Sequence, residues 1–407
     1  MQLTILNSVD IHFDRDSMLK VLICVVWSAL LVGHAKGIIN RLPVFGDFSE
    51  LTQAALIVIP LILALPSIVN KLCLADYLFY SVCVVYYMSG YVAFPENSKF
   101  LNEYAFQCLC CVVPYYFIGR LIDINNLFKV LIILSTICIF ADLFYFLVYT
   151  PSTKVVEGVE NEDNMYQAYK SLPHVAMMLW ATMEKPRIWK AVVFILGILF
   201  LLSCGTRGPL ACIGFFGIIY FFFYMNFKGA VYLKVLIVST SLIILVNLRA
   251  IAVYLASTFT SLNLSTRILQ KIVVGEMGND SQRSGVRDII YKALDDGDHF
   301  WGLGLFGCQN YNVHYPHFLP LDFASTFGYA IGSFFLVILV LFIGWAFLIT
   351  RGTKTQVFIL FLFSISIIKL LLSNTFALEP FFFMLIGVCA KEIISRKSWT
   401  FLNRQNE

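Results

Sequence analysis

Uncharged apolar runs recur along the whole chain, among them Val21–Val32, Val192–Leu202, Gly332–Leu348 and Val357–Leu372, the last broken only by Lys369. Each lies within an apolar stretch long enough to cross a hydrocarbon core as a helix, the one open-chain conformation that satisfies its own backbone there. Spans are predicted at 18–35, 51–70, 76–94, 103–119, 127–149, 166–183, 188–204, 207–226, 230–249, 326–349, 356–373 and 376–394. The pattern predicts an all-α polytopic membrane protein with about twelve transmembrane helices.

Polar positions then assign the sides. Arg15, Lys20, Lys71, Arg120, Lys129, Lys185, Arg187, Lys190, Lys228, Arg351, Lys354, Lys391 and Arg396 fall in the tails or in alternate short connections, which the positive-inside rule makes cytoplasmic together with both termini. Opposite connections such as Glu96–Glu103 and Glu157–Asp163 are richer in carboxylates. The chain divides accordingly into helices over 1–249, a long outward loop over 250–323, and helices with a cytoplasmic tail over 324–407.

That loop, taken from Arg249, carries six Lys/Arg and three histidines. Long loops translocate regardless of charge, and loops of this length are commonly functional. Within it Ser281–Asp296 has Ser281 as a cap and Val286, Ile289, Ile290, Ala293 and Leu294 at helical spacing, which predicts an amphipathic helix lying over the bundle.

Composition excludes a water-soluble reading: 59% of residues are hydrophobic, 13% are charged, and the mean hydropathy is +0.80. The net charge of +4 is spread along the chain, so it speaks for membrane orientation and against a nucleic-acid partner. No cleavable leader is expected, because a polar, mixed-charge stretch precedes the first apolar run and no small-residue cleavage pattern follows it. Of the eleven cysteines, Cys308 alone lies in a long polar loop, and Cys108, Cys110 and Cys111 read as small buried hydrophobes rather than a metal site.

Three places carry candidate chemistry. Arg283 and Arg287 stand four residues apart on the predicted helix, so they project from one stripe and can grip a phosphate; a solvated edge, or pairing with Asp288 or lipid headgroups, is the plain alternative. Arg207 lies in Leu202-Ser203-Cys204-Gly205-Thr206-Arg207-Gly208-Pro209, a tight reversal at the outward surface where a helix begins and anions are favoured. Snorkelling to headgroups is its alternative reading. The third place is His299-Phe300-Trp301-Gly302-Leu303-Gly304 followed by His314-Tyr315-Pro316-His317. Its Gly-x-Gly follows a helix rather than a strand, which rejects dinucleotide binding, and Pro316 disfavours a helical metal pair. A neutral imidazole here can serve as general base, or simply bond to backbone. Intramembrane Asp142, Lys369 and His174 are the candidates for a polar transport route, and no internal repeat is seen.

The order of these features resembles the O-antigen polymerase and O-antigen ligase superfamily of bacterial surface-polysaccharide assembly. LSCGTRGPL is similar to its arginine-bearing turn, RSGVRDIIYKALDDGDHFWGLGLFG to its arginine-bearing loop helix leading into Gly-x-Gly, and YPHFLPLDFASTFGYAIG to its histidine segment. Gly328 lies eleven residues after His317, which selects His317 over His314; the residue after it, often asparagine in the family, is Phe318 here. The resemblance covers roughly 190–390. It implies a GT-C-like glycosyltransferase of the bacterial inner membrane with a periplasmic active site, no cofactor and no metal. Donor and acceptor would be oligosaccharides on undecaprenyl diphosphate, with Arg207 and Arg287 holding the diphosphate, His317 activating the acceptor hydroxyl, and a chain-length regulator as protein partner. Phe318 points to the polymerase branch; a ligase acting on lipid A-core and a lipid-oligosaccharide flippase are the alternatives.

Overall fold

A computed structural model describes residues 2–4, 10–12, 72–149, 162–225, 231–232, 234–235, 239, 246–261, 266–275, 283–295 and 299–405. The predicted spans 18–35 and 51–70, most of 230–249, and the cap Ser281 lie outside the described residues. Apart from a short antiparallel pair, β1 (Gln2–Thr4) with β2 (Asp10–His12), the described regular structure is helical.

Helix α1 (Leu74–Ala93) turns through 107° at Phe94 into a broken segment: α2 (Ser98–Ala105), a π-helical stretch (Phe106–Val112) and α3 (Tyr115–Leu121). The bend follows from Pro95, which cannot continue a hydrogen-bonded helix. Then come α4 (Ile124–Tyr149), α5 (Glu162–Glu184), α6 (Ile188–Ser203) and α7 (Arg207–Ile219), the last extended by a π turn to Tyr224. The long connection holds α8 (Leu248–Ser261), α9 (Arg267–Val274) and α10 (Arg283–Asp295). Finally α11 (Leu319–Phe327), α12 (Tyr329–Ile349), α13 (Lys354–Phe363), which passes through a π segment into α14 (Lys369–Leu372), and α15 (Pro380–Gln405) close the chain.

Among the described residues, four helical stretches are long and apolar enough to cross a membrane: Leu127–Phe144, Arg207–Tyr224, Tyr329–Ile349 and Lys354–Leu372. The bent pair Leu74–Ala93 with Pro95–Leu121 makes a fifth if it counts as one span. Helices also occupy the predicted spans 166–183 and 376–394, but their apolar residues face protein. Val175, Ala176, Met177, Met178 and Trp180 of α5 are buried, as are Phe382, Met384, Leu385 and Val388 of α15. The predicted helix 326–349 is broken at Gly328, whose φ of +80° ends α11 and starts α12.

The chain forms two compact units, Met1–Val130 with Ser281–Glu407, and Leu131–Asp280. In the first unit α10 and the 299–323 segment pack with α1–α3 and the last helices. In the first unit α3 and α15 meet through facing glycines: a Cβ on Gly119 would strike the Met384 carbonyl, and one on Gly387 the Tyr116 carbonyl. Small residues that let backbones touch in this way are a usual means of joining helices in lipid, where apolar burial gives no drive.

One end of this unit is held by basic side chains of the short connections. Arg120 forms a bidentate pair with buried Asp76 in the first turn of α1, Lys354 lies over the Phe128 ring at 5.0 Å, and Lys391 donates to the Ile122 carbonyl. About 30 Å away, at the far end of the twenty-residue α1, Phe94 and Asn97 meet the Gly-x-Gly segment. The cationic connections thus gather at one end of α1 and the glycine- and histidine-bearing loop at the other. In the second unit α8 and α9 form a small cluster of Ala252, Phe259 and Leu269 against Leu202, so the first half of the long connection is itself packed helix.

Candidate functional site

The loop end of the first unit is built on backbone contact. Gly302 has φ +73°, and a Cβ there would lie 2.5 Å from the Gly328 nitrogen and 2.7 Å from the Ser325 carbonyl oxygen. The Leu303 N–H donates to that same carbonyl at 2.6 Å, while Gly304, φ +76°, lies flat against the Phe94 ring. These glycines are required because the chain must turn left-handed and touch other backbone at once. Gly-x-Gly is therefore a joint between loop and helix.

Asn97 holds the joint from the other side. It is 0% exposed, its amide donates to the Leu303 carbonyl at 2.8 Å and the Leu305 carbonyl at 3.3 Å, and its oxygen accepts from Asn310 at 2.6 Å. An Asn after Pro95 reads from sequence as an ordinary turn residue. Its partners stand more than two hundred residues away, so no local signal could have revealed it.

Helix α10 starts at Arg283, within two residues of the predicted boundary, and both arginines are half-buried on it. The i, i+4 relation is realised directly: the Arg287 Nε donates to the Arg283 carbonyl at 3.3 Å. Further along the same stripe and beside it, Ile290, Leu294 and Ala293 are buried against Leu303, Cys308, Val313, Leu321 and Ala324. Val286, beside Arg287, and Phe318, beside His317, pack on this same cluster. The arginine-bearing helix and the histidine-bearing segment are thus fixed to one core, whose apolar lining also pushes the Cys308 thiol up to about 12.

His317 itself has φ +56°, a left-handed conformation that costs a non-glycine residue on the order of 1–2 kcal/mol. Its ring lies 4.4 Å from that of Tyr315, and its Nδ1 is buried. His314, three residues earlier, is exposed. Strain of this kind persists only where the surroundings fix it, and it concentrates at functional positions.

Asp322, which the sequence reading passed over, is buried in the first turn of α11, five residues after His317. The Phe376 N–H donates to its Oδ2 at 2.9 Å and the Thr375 hydroxyl to its Oδ1 at 3.2 Å, tying α11 to the turn before α15. Burial raises its carboxyl from 3.8 to about 7, against the lowering effect of those two hydrogen bonds. Between those values the folded chain holds a proton the unfolded chain has lost. The Asp322 contribution to stability therefore falls as pH rises from about 4 through about 7, and the loss is complete above that. Asp322→Asn should flatten this slope in thermal unfolding of the detergent-solubilised protein, since the Thr375 hydroxyl can turn to accept from an amide. An unchanged slope would mean that Asp322 does not titrate in this window.

Arg207 belongs to the second unit, where it opens α7 after Gly205, φ +72°. A Cβ on Gly208 would strike the Tyr169 hydroxyl, so the turn is pinned to α5. Of the four arginine and histidine candidates, Arg283, Arg287 and His317 share the first unit, and Arg207 lies in the other.

No family model, curated protein or solved structure matches this chain. The intramembrane charges offered for a transport route are engaged in pairs: Asp142 meets Lys170 at 3.1 Å and accepts from Ser171, and Lys369 pairs with buried Glu379, which also accepts from Asn374 at 2.9 Å. Each pair ties neighbouring segments within its own unit.

Proposed function

We propose that this protein is a membrane glycosyltransferase of the surface-polysaccharide polymerase kind, which moves a growing glycan from undecaprenyl diphosphate onto a lipid-linked repeat unit. The observation that carries the reading is the shared core of α10 and the His317 segment, which fixes two half-buried arginines and a strained histidine at the end of α1 opposite the cationic connections. On the positive-inside rule that end faces the periplasm of a bacterial inner membrane, and both termini face the cytoplasm. The full chain in this reading has about twelve spans in a GT-C-like arrangement.

In the proposed reaction His317 takes the proton of an acceptor hydroxyl, whose oxygen attacks the anomeric carbon of the donor. The bond from that carbon to the diphosphate oxygen breaks, and undecaprenyl diphosphate leaves with the electron pair. Arg287 and Arg283 offset the charge growing on the leaving group, and Arg207 is assigned to the diphosphate by the sequence resemblance. The donor carries its own activation, so no nucleotide is needed. A buried cluster excludes water from one side of the segment, which favours transfer over hydrolysis.

The test supplies purified protein with synthetic undecaprenyl-diphosphate repeats and no lipid A-core. Polymer formation supports the proposal; turnover only after lipid A-core is added would make the protein a ligase, and movement of repeats across vesicles without bond formation a flippase. In the same assay Arg207→Lys is expected to lose most activity although charge is kept, because an ammonium does not reproduce bidentate geometry on a diphosphate. Arg287→Ala is expected to be nearly inactive. Normal turnover in both variants returns the arginines to headgroup binding.

A further inference from the structure

Phe300 and Trp301 are the most exposed aromatic side chains of the first unit's loop end, at 59% and 64%, and their rings meet edge-on at 5.1 Å. Leaving two large apolar rings in water is costly, and nothing in the packing demands it: the buried core of this loop is made by Leu303, Leu305 and Phe306 instead. Their position explains them. The backbone carrying them is locked to the first turn of α12, since a Cβ on Gly328 would strike the Phe300 carbonyl, and Gly302 lies against the Gly328 nitrogen.

Among the described residues, helix α12 is the least buried of the four single-helix spans, and it carries no charged residue from Tyr329 to Ile349. Its outward residues, Phe334, Val337, Ile338, Leu341 and Leu348 among them, are exposed, an apolar surface suited to lipid. Tyr329, 42% exposed, stands at its start and donates its hydroxyl to Asp295 at the end of α10. An apolar surface therefore runs from the lipid face of the span, past a tyrosine whose polar end is satisfied, onto Phe300 and Trp301. Amphipathic aromatic rings placed at the end of a span are favoured at the headgroup level, where the ring is apolar-solvated and the N–H or O–H stays wet.

We infer that the His299–Trp301 turn is an interfacial foot: Trp301 and Phe300 insert into the headgroup–acyl boundary of the same bilayer that α12 crosses. The occupant of this surface is lipid, because the turn is continuous with a lipid-facing helix and sits at its end. The foot sets the height of the C-terminal end of α10, which is joined to α12 through Asp295 and Tyr329. This inference holds whether or not the protein transfers sugars.

The experiment uses the full chain in vesicles of phosphatidylethanolamine and phosphatidylglycerol whose acyl chains are brominated either near the carbonyls or near the chain ends. Trp301→Phe removes one of the six tryptophans, so the wild-type minus variant emission isolates Trp301. That emission is expected to be lost with bromines near the carbonyls, less affected by bromines near the chain ends, and protected from aqueous iodide. Phe300→Trp, which adds a reporter, should show the same depth order in its added emission and keeps the test open if the first variant folds poorly. Quenching by iodide but not by brominated lipid would make the turn a solvated loop; quenching by neither would mean that protein covers it. Either outcome overturns the inference.

Discussion

His317→Gly should lower kcat/KM for polymer formation by about 10²–10⁴-fold, the usual contribution of a positioned general base. Glycine is the informative replacement because His317 sits at φ +56°: alanine and glycine both lose the imidazole and its ring contact with Tyr315, but alanine keeps the backbone strain and glycine relieves it. The variant should therefore be no harder to fold than the wild type on backbone grounds, and its lost turnover can be ascribed to chemistry. A second reading of the same variant is the pH–rate profile. The ascending limb expected where an imidazole loses its proton should be present in the wild type and absent in His317→Gly. His314→Ala, at an exposed position, should be mild. Full activity of His317→Gly would leave the reaction without this base, and a dead His314→Ala beside it would transfer the role by three residues.

Gly328→Ala is expected to have the largest effect on folding. Its Cβ would strike the Phe300 carbonyl and approach the Gly302 nitrogen at 3.0 Å, both backbone groups that no side-chain rotation can move, at a φ of +80° that disfavours any other residue. Backbone strain of roughly 1–3 kcal/mol in an essentially glycine-only conformation adds to overpacking of roughly 1–3 kcal/mol. The loop end should detach from α12, with faster protease cleavage in the 299–318 stretch and a lowered unfolding midpoint. Gly352→Ala is the control, because Gly352 has φ +78° but nothing within 4 Å of an added Cβ. It should cost only the conformational part, roughly 1–2 kcal/mol. If the two variants are equally mild, the joint between loop and span does not exist as described.

What the sequence determined by itself is what depends on near neighbours. Helices occur at the described predicted spans because an apolar run long enough for lipid leaves the backbone no other way to satisfy itself, and α10 lies at Arg283–Asp295 because its period and polarity are local properties of thirteen residues. The pairing of Arg283 with Arg287 on one stripe followed from helical geometry alone. Only the tertiary structure decided what each polar residue among the apolar ones is for. Asp76, Asp142 and Glu379 look alike in sequence, yet each is defined by its partner: Arg120, Lys170 or Lys369. The break at Gly328 was invisible within a continuous apolar run because its cause, the Phe300 carbonyl, arrives from another part of the chain. Asn97 and Asp322 were missed for the same reason, since a buried polar side chain takes its meaning from the donors and acceptors that folding brings to it.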